Sequence, residues 1–232
     1  MIFMKRLPQN LNGMEVRKLG ENELKELTPE LAGIVNESMY EGKGDERHFR
    51  ETYFSGKGSY IAFFDGAEVA GYAKMMNLPA TNTAYFSMLA RRGKYRGTGL
   101  FSDAIFLSLG QGFEWESDQV ACVTANNRVL GMFDRRSFIC ESIDQADIEL
   151  VKKIAVERFG PKAEILDGFI LNGTVLESYP NVPMHEYSSS GRINGLFEQP
   201  FERKRCDRRL LFRRLDKEAE EDYEEWLGRV EK

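Results

Sequence analysis

A chain of 232 residues, 42% hydrophobic and 30% charged, carries enough apolar material to bury a core, which excludes global disorder. Its net charge of −5 arises entirely from Asp216 to Lys232, where eight acids are set against three bases. The neutral remainder gives no ground for a nucleic-acid or anionic-membrane partner. No apolar run reaches the ~18 residues of a membrane span, and Met1 to Gly13 lacks the apolar centre of a signal peptide. Cys122, Cys140 and Cys206 are an odd, widely spaced set, and His48 and His185 are the only histidines. The expectation is a reduced, cytoplasmic protein with no disulfide framework and no metal centre.

Charged and apolar residues alternate from Glu15 to Leu19, which predicts a short first strand. Glu21 to Glu41 is helical in character, and Thr28-Pro29-Glu30 reads as a cap, a first-turn proline and an early acid, so a break and a new helix are expected there. Gly42 and Gly44 stop it, and Asp45 caps a second helix over Glu46 to Phe54. Ser59–Phe64 and Glu68–Met76 form a hairpin around Asp65-Gly66. A strand over Ala84–Ala90 leads through a basic, glycine-rich loop into a helix over Leu100–Leu109. A buried strand is expected over Gln119–Thr124, with Cys122 a packing residue, and a helix over Asn126–Arg136. Phe63, Phe64, Phe106 and Phe133 are expected in the core. An amphipathic helix over Ala146–Phe159 ends at Gly160-Pro161, and Ile165–Leu171 and Leu210–Leu215 read as strands. Tyr179–Pro200, with three prolines and three consecutive serines, reads as an irregular loop. The acidic segment from Asp216 reads as a solvated helix, docked, if at all, through Tyr223, Trp226 and Leu227.

The stretch that carries chemistry is strand, Arg96-Gly97-Thr98-Gly99-Leu100-Phe101, helix. Amides at a helix start have no intrahelical acceptor and lie at the positive end of the dipole, so they favour a phosphate. Glycines clear the approach and Arg96 adds charge. A dinucleotide-binding fingerprint fails, because Asp118 precedes a strand where an acid should end one. A P-loop fails because no Gly-Lys-Ser/Thr follows at the required gap.

Three segments together resemble the GNAT superfamily of acetyl-CoA-dependent N-acetyltransferases. Tyr95-Arg96-Gly97-Thr98-Gly99-Leu100 resembles its pyrophosphate loop, Arg/Gln-x-x-Gly-x-Gly/Ala, with Phe101 in place of the small last residue. Asn126 to Phe138 resembles its Asn-x-x-Ala-x-x-Leu-Tyr-x-x-x-Gly-Phe segment, with Phe133 at the tyrosine and Ser137 at the glycine. The hairpin from Phe64 to Gly71 resembles its second and third strands. The likeness runs from Glu15 to Ile143.

That resemblance implies an α/β fold with a mixed, mostly antiparallel sheet flanked by helices. It also implies a cofactor-binding core over residues 14–143, an elaboration over 144–215 with an acceptor-side loop and a closing strand, and an acidic helical tail over 216–232. It implies acetyl-CoA as cofactor, bound by Leu89, Ala90, Arg91, Arg96, Gly97, Thr98, Gly99, Leu100, Phe101, Asn126 and Phe133. The reaction implied is direct attack of a primary amine, on a small molecule or peptide, upon the thioester. Ser87, Tyr85 and His48 are the candidate catalytic side chains, and Tyr179, His185 and Tyr187 the candidate acceptor contacts. A longer acyl donor, a non-catalytic or weakly active acyl-CoA-binding regulatory module, and RNA-linked action through the seven basic residues of Arg203–Arg214 remain as alternatives. A homodimer is an open assembly.

Overall fold

In a computed structural model the described residues are 7–40, 42, 44–54, 58–124, 132–133, 145–161, 164–166, 169–171 and 208–231. They form two compact units, one within 1–77, 84–118 and 215–232 and the other within 78–83 and 119–214.

Turn chemistry orders the first unit. β1 (Asn10–Leu11) and β2 (Met14–Lys18) are joined by Asn12-Gly13, both at positive φ, a hairpin not expected from the sequence. β3 (Ser59–Asp65) folds back onto β4 (Glu68–Leu78), pairing Asp65 with Glu68 around the expected turn. β5 (Thr83–Arg91) follows, and the strands lie in the order β1-β2-β3-β4-β5. Every pairing with a described register, in both units, is antiparallel. The expected architecture, a mostly antiparallel sheet flanked by helices, is the one observed.

Helix α1 (Glu21–Tyr40) runs unbroken through Pro29, against the expected break. Thr28 does not cap a new helix; its hydroxyl donates to the Leu24 carbonyl at 2.6 Å, inside the same helix. Leu31, Ala32, Ile34 and Val35 are buried just beyond it, and this continuous apolar face outweighs the one backbone bond that proline removes. Gly42 at φ +78° ends α1, and the Asp45 carboxylate accepts from the Arg47 amide at 2.9 Å at the start of α2 (Glu46–Tyr53). Both helices cover one sheet face, where Phe49 of α2 joins Leu31, Tyr60, Tyr72, Met88 and others in the core.

Helix α3 (Leu100–Glu114) takes the other face, where the Ser59 hydroxyl donates to Gln111 Oε1 at 2.9 Å. On α3 lies α5 (Lys217–Val230), capped by Asp216, whose carboxylate accepts from the Ala219 amide. The helix is docked through two of the three residues expected to do so, Tyr223 and Trp226, with its acids mostly solvent-facing. Ala219, Tyr223 and Trp226 recur at helical spacing and are buried. Trp226 stacks on Phe106 with centroids 5.1 Å apart, and Tyr223 presses on Gly110, where an added Cβ would lie 2.5 Å from its hydroxyl. Leu227 is half-buried.

In the second unit β6 (Gln119–Thr124) pairs with β9 (Arg208–Arg214), and the order is β6-β9-β8-β7. Where one strand was expected over 165–171 there are two, β7 (Glu164–Leu166) and β8 (Phe169–Leu171), paired Leu166 to Phe169. The intervening Asp167-Gly168 is the same hairpin signal as Asp65-Gly66. Helix α4 (Gln145–Phe159) ends at Gly160, φ +92°. From its last turns Glu157 accepts three hydrogen bonds, from the amides of Ala80 and Thr81 and the Thr81 hydroxyl, at 2.7–2.9 Å. Of the expected helix over 126–136, Met132 and Phe133 are described and helical; its other residues lie outside the described set. Phe63, Phe64, Phe106, Cys122 and Phe133 are all buried, as expected.

Candidate functional site

Strand β5 delivers the chain to the start of α3 through residues 92–99, and the short turn Gly93–Tyr95 is pinned on several sides. The Arg92 guanidinium reaches Glu30 at 2.7 Å and the Val69 carbonyl at 2.9 Å, while its amide donates to the Ala70 carbonyl. The Gly93 amide donates to Glu37, Lys94 pairs with Glu68, and the Tyr95 hydroxyl donates to Asp65 at 2.9 Å. Sequence reasoning misses these anchors. Their signal is a run of acids on the Asp65–Glu68 hairpin and along α1, facing a basic loop.

Beyond the anchored turn the backbone opens. Gly97 and Gly99 stand at φ +85° and +79°, a region that side chains with a Cβ rarely enter. Among the described residues no atom lies within 4 Å of a Cβ built on Gly97, so the loop presents its backbone outward from them. Gly99 is the N-cap of α3 and supplies no side-chain cap. Its carbonyl accepts from the amides of Ser102 and Asp103, while the amides of Leu100 and Phe101 have no acceptor within the helix. The Thr98 hydroxyl donates to the Tyr95 carbonyl at 2.9 Å, closing the loop from within.

Arg96 is exposed at this opening, and Arg91 is half-buried. Burial, and then the positive charge of Arg96, hold the Arg91 guanidinium below the ordinary arginine range. Two cations that repel each other beside uncapped amides constitute a place where a polyanion lowers the energy.

The structure thus brings Arg91, Arg96, Gly97, Thr98, Gly99, Leu100 and Phe101 together in one strand–loop–helix junction, with Leu89 and Ala90 buried in β5 leading into it. The side chain of Phe101 is outside the described set. Tyr85 and Ser87 alternate along β5 on the face opposite Met88, whose sulfur accepts from the Tyr72 hydroxyl on the α1–α2 face. Tyr85 is buried and Ser87 half-buried. His48 rides on α2, which packs on that opposite face, so β5 separates its helix from Tyr85 and Ser87; the His48 side chain is outside the described set. Phe133 is 1% exposed, within the second unit. Asn126, Tyr179, His185 and Tyr187 lie outside the described residues. Among the described residues no group of three His, Cys, Asp or Glu is placed to hold a metal ion, and no helix is long and apolar enough to cross a membrane.

The sequence matches no protein-family profile and no curated protein. In structure it is similar to a candidate phosphinothricin N-acetyltransferase, with a TM-score of 0.53 and 15% identity, over 88% of this chain and 99% of that one. A candidate acetyltransferase of the GNAT family from Desulfovibrio desulfuricans aligns with 56% of this chain and 87% of its own, at a TM-score of 0.45 and 13% identity. A Bacillus subtilis acetyltransferase in complex with CoA aligns with 87% and 98%, at 0.48 and 12%. The first of these likenesses establishes a common fold.

Proposed function

From the GNAT acyltransferase fold of this chain we propose that it is a cytoplasmic N-acetyltransferase, moving an acetyl group from acetyl-CoA to a primary amine of a small molecule or peptide. The observation that carries this reading is the pair of left-handed glycines at an uncapped helix start, exposed beside Arg96 among the described residues. Those residues fit a diphosphate. In this reading the amides of Gly97, Gly99, Leu100 and Phe101 bind the pyrophosphate, Arg91 and Arg96 neutralise it, and Thr98 stiffens the loop. The backbone of Leu89, Ala90 and Arg91, with Asn126 and Phe133, orients the pantetheine arm. Bound acetyl-CoA would supply the activated thioester. Residues 14–143 then form the cofactor core, 144–215 the acceptor-side elaboration and 216–232 the helical tail.

A primary amine with a pKa near ~10.4 is protonated at neutral pH, so a side chain or an ordered water must accept a proton before attack. Ser87 and Tyr85 are the proposed proton-handling groups on one face of β5, with His48, on the helix packed against the opposite face, the alternative to them. Tyr179, His185 and Tyr187 are the proposed acceptor contacts. Phe133 favours a second reading. A buried phenylalanine stands where the resembled family carries its tyrosine, which fits a non-catalytic or weakly active acyl-CoA-binding regulatory module.

Incubation with acetyl-CoA and a panel of primary amines, reading free thiol, is expected to release CoA. Tight CoA binding without thiol release assigns the second reading. No binding of CoA at all overturns both.

A further inference from the structure

Asp103 lies in the first turn of α3, the turn whose amides are assigned to the diphosphate. Both of its oxygens are engaged. Asn12 Nδ2 donates to Oδ2 at 2.8 Å, and Trp226 Nε1 donates to Oδ1 at 3.0 Å. A Cβ on Gly99 would come within 3.5 Å of Asn12 Nδ2 and 3.6 Å of Asp103 Oδ2, so this hydrogen-bonded pair sits beside the capping residue itself.

The two donors come from distant parts of the chain. Asn12 sits in the β1–β2 turn at φ +52°. Trp226 belongs to α5, 2% exposed and stacked on Phe106. An acid in the first turn of a helix complements the dipole, but the same negative charge competes with an anion for the same amides. Which effect wins depends on where the carboxylate points.

We propose that Trp226 and Asn12 are positioning residues of the acyl-CoA site, holding the Asp103 carboxylate by both oxygens so that it does not compete with a diphosphate for the first-turn amides of α3. The inference rests on the reading of residues 96–101 as the CoA loop, and it makes helix α5 part of the cofactor machinery. If one donor is lost, the carboxylate is free to swing toward the uncapped amides and act as an intramolecular competitor of the pyrophosphate.

The test is calorimetric titration of CoA and of acetyl-pantetheine, which lacks the pyrophosphate, into folded full-length protein. Trp226→Phe keeps the ring stacked on Phe106 and removes only the N–H. It is expected to weaken CoA about three- to tenfold, the range for one charge-linked hydrogen bond at a helix start, and to leave acetyl-pantetheine unchanged. Asp103→Asn in the Trp226→Phe background removes the competing charge and is expected to restore CoA affinity to within about twofold of wild type, a rescue that loss of packing would not give. Asn12→Ala, on an exposed turn, tests the second donor in the same direction if Trp226→Phe does not fold. Wild-type affinity in both donor variants, or failure of Asp103→Asn to restore it, overturns the inference alone. A wild type that binds no CoA overturns the CoA loop and the inference together.

Discussion

Glycine serves opposite ends at two places on helix α3. At its start Gly97 and Gly99 adopt positive φ, and a Cβ on Gly97 would meet no atom of the described residues within 4 Å. Farther along, a Cβ on Gly110 would run into Tyr223, whose ring takes the room that the missing side chain leaves. One region uses the absence of side chains to expose its backbone, the other to bring a second helix into contact. The same residue type therefore marks a binding surface or a packing seam according to what fills the space, and the two regions should fail differently when that space is taken.

The largest effect is expected at the open end. Gly99→Glu places bulk and negative charge beside the amides assigned to the diphosphate and should weaken CoA at least about a hundredfold. Forcing a Cβ residue into the left-handed region costs about 1–2 kcal/mol of stability, so the variant should still fold. Calorimetric titration of the folded variant checks this, and unchanged affinity would remove the loop from the cofactor site. At the closed end Gly110→Leu should behave in the converse way. Overpacking against Tyr223 should lower the urea-derived unfolding free energy by about 1–3 kcal/mol, and an unaltered midpoint would mean that the seam yields easily.

Phe133 extends the contrast to space that is already filled. Adding a hydroxyl at this buried ring should raise kcat on the best amine by about tenfold, with little change in CoA affinity, if the ring borders the departing sulfur. The gain falls below the ~10²–10⁴ of a positioned acid because a thiol of pKa ~8.5 leaves tolerably unaided. Comparing kcat for wild type and Phe133→Tyr under one set of conditions decides it, and equal rates would place the ring away from the reaction.

The smallest effect concerns the seam in alkali. Burial, and then the charges of Glu224, Glu231 and Glu114, push the Tyr223 phenol well above its ordinary value. A folded pKa raised above the unfolded ~10 contributes stability that is whole below that pH and is lost as pH climbs toward the folded value. The loss from this group should be ~0.8 kcal/mol at pH ~10.5, growing at no more than about 1.4 kcal/mol per further pH unit. Urea melts of wild type and Tyr223→Phe across pH ~9 to ~11 should therefore differ in slope. Tyr60, pushed up to about 12 by burial alone, supplies a similar slope in both and serves as the internal control.

Elements governed by local chemistry are legible in the sequence itself. Asp65-Gly66 marks its hairpin, Gln119–Thr124 its strand, and Arg96–Gly99 the entry to α3, because turn conformation and helix-start electrostatics depend on the residues themselves. Where a distant surface decides, the local signal misleads. Thr28-Pro29-Glu30 carries every mark of a helix start, yet the burial of Leu31, Ile34 and Val35 keeps α1 whole. In the acidic C-terminal segment Tyr223 and Trp226 are legible as docking residues, but the surface that receives them, Phe106 and Gly110 of α3, is not. Asp167-Gly168 is a local signal hidden within an apolar run. The cofactor loop is visible for its glycines and arginine, but the acids that brace it, Glu30, Glu37, Glu68 and Asp65, are scattered along the chain and acquire meaning only when the sheet forms.

The bond from Trp226 to Asp103 spans 123 residues of sequence, and the chain of the second unit, 119 to 214, intervenes between them. Closing a loop of that length costs about 4 kcal/mol of chain entropy beyond a fixed term, returned only when Tyr223 and Trp226 are seated. The hairpins and α3 can form from nearby residues early in folding, whereas the strip of α3 formed by Phe106, Gly110 and Phe113 must wait for the distant helix. During that interval the strip is an uncovered apolar surface, one where a chaperone could hold the chain or a second copy lend its own helix in a domain swap.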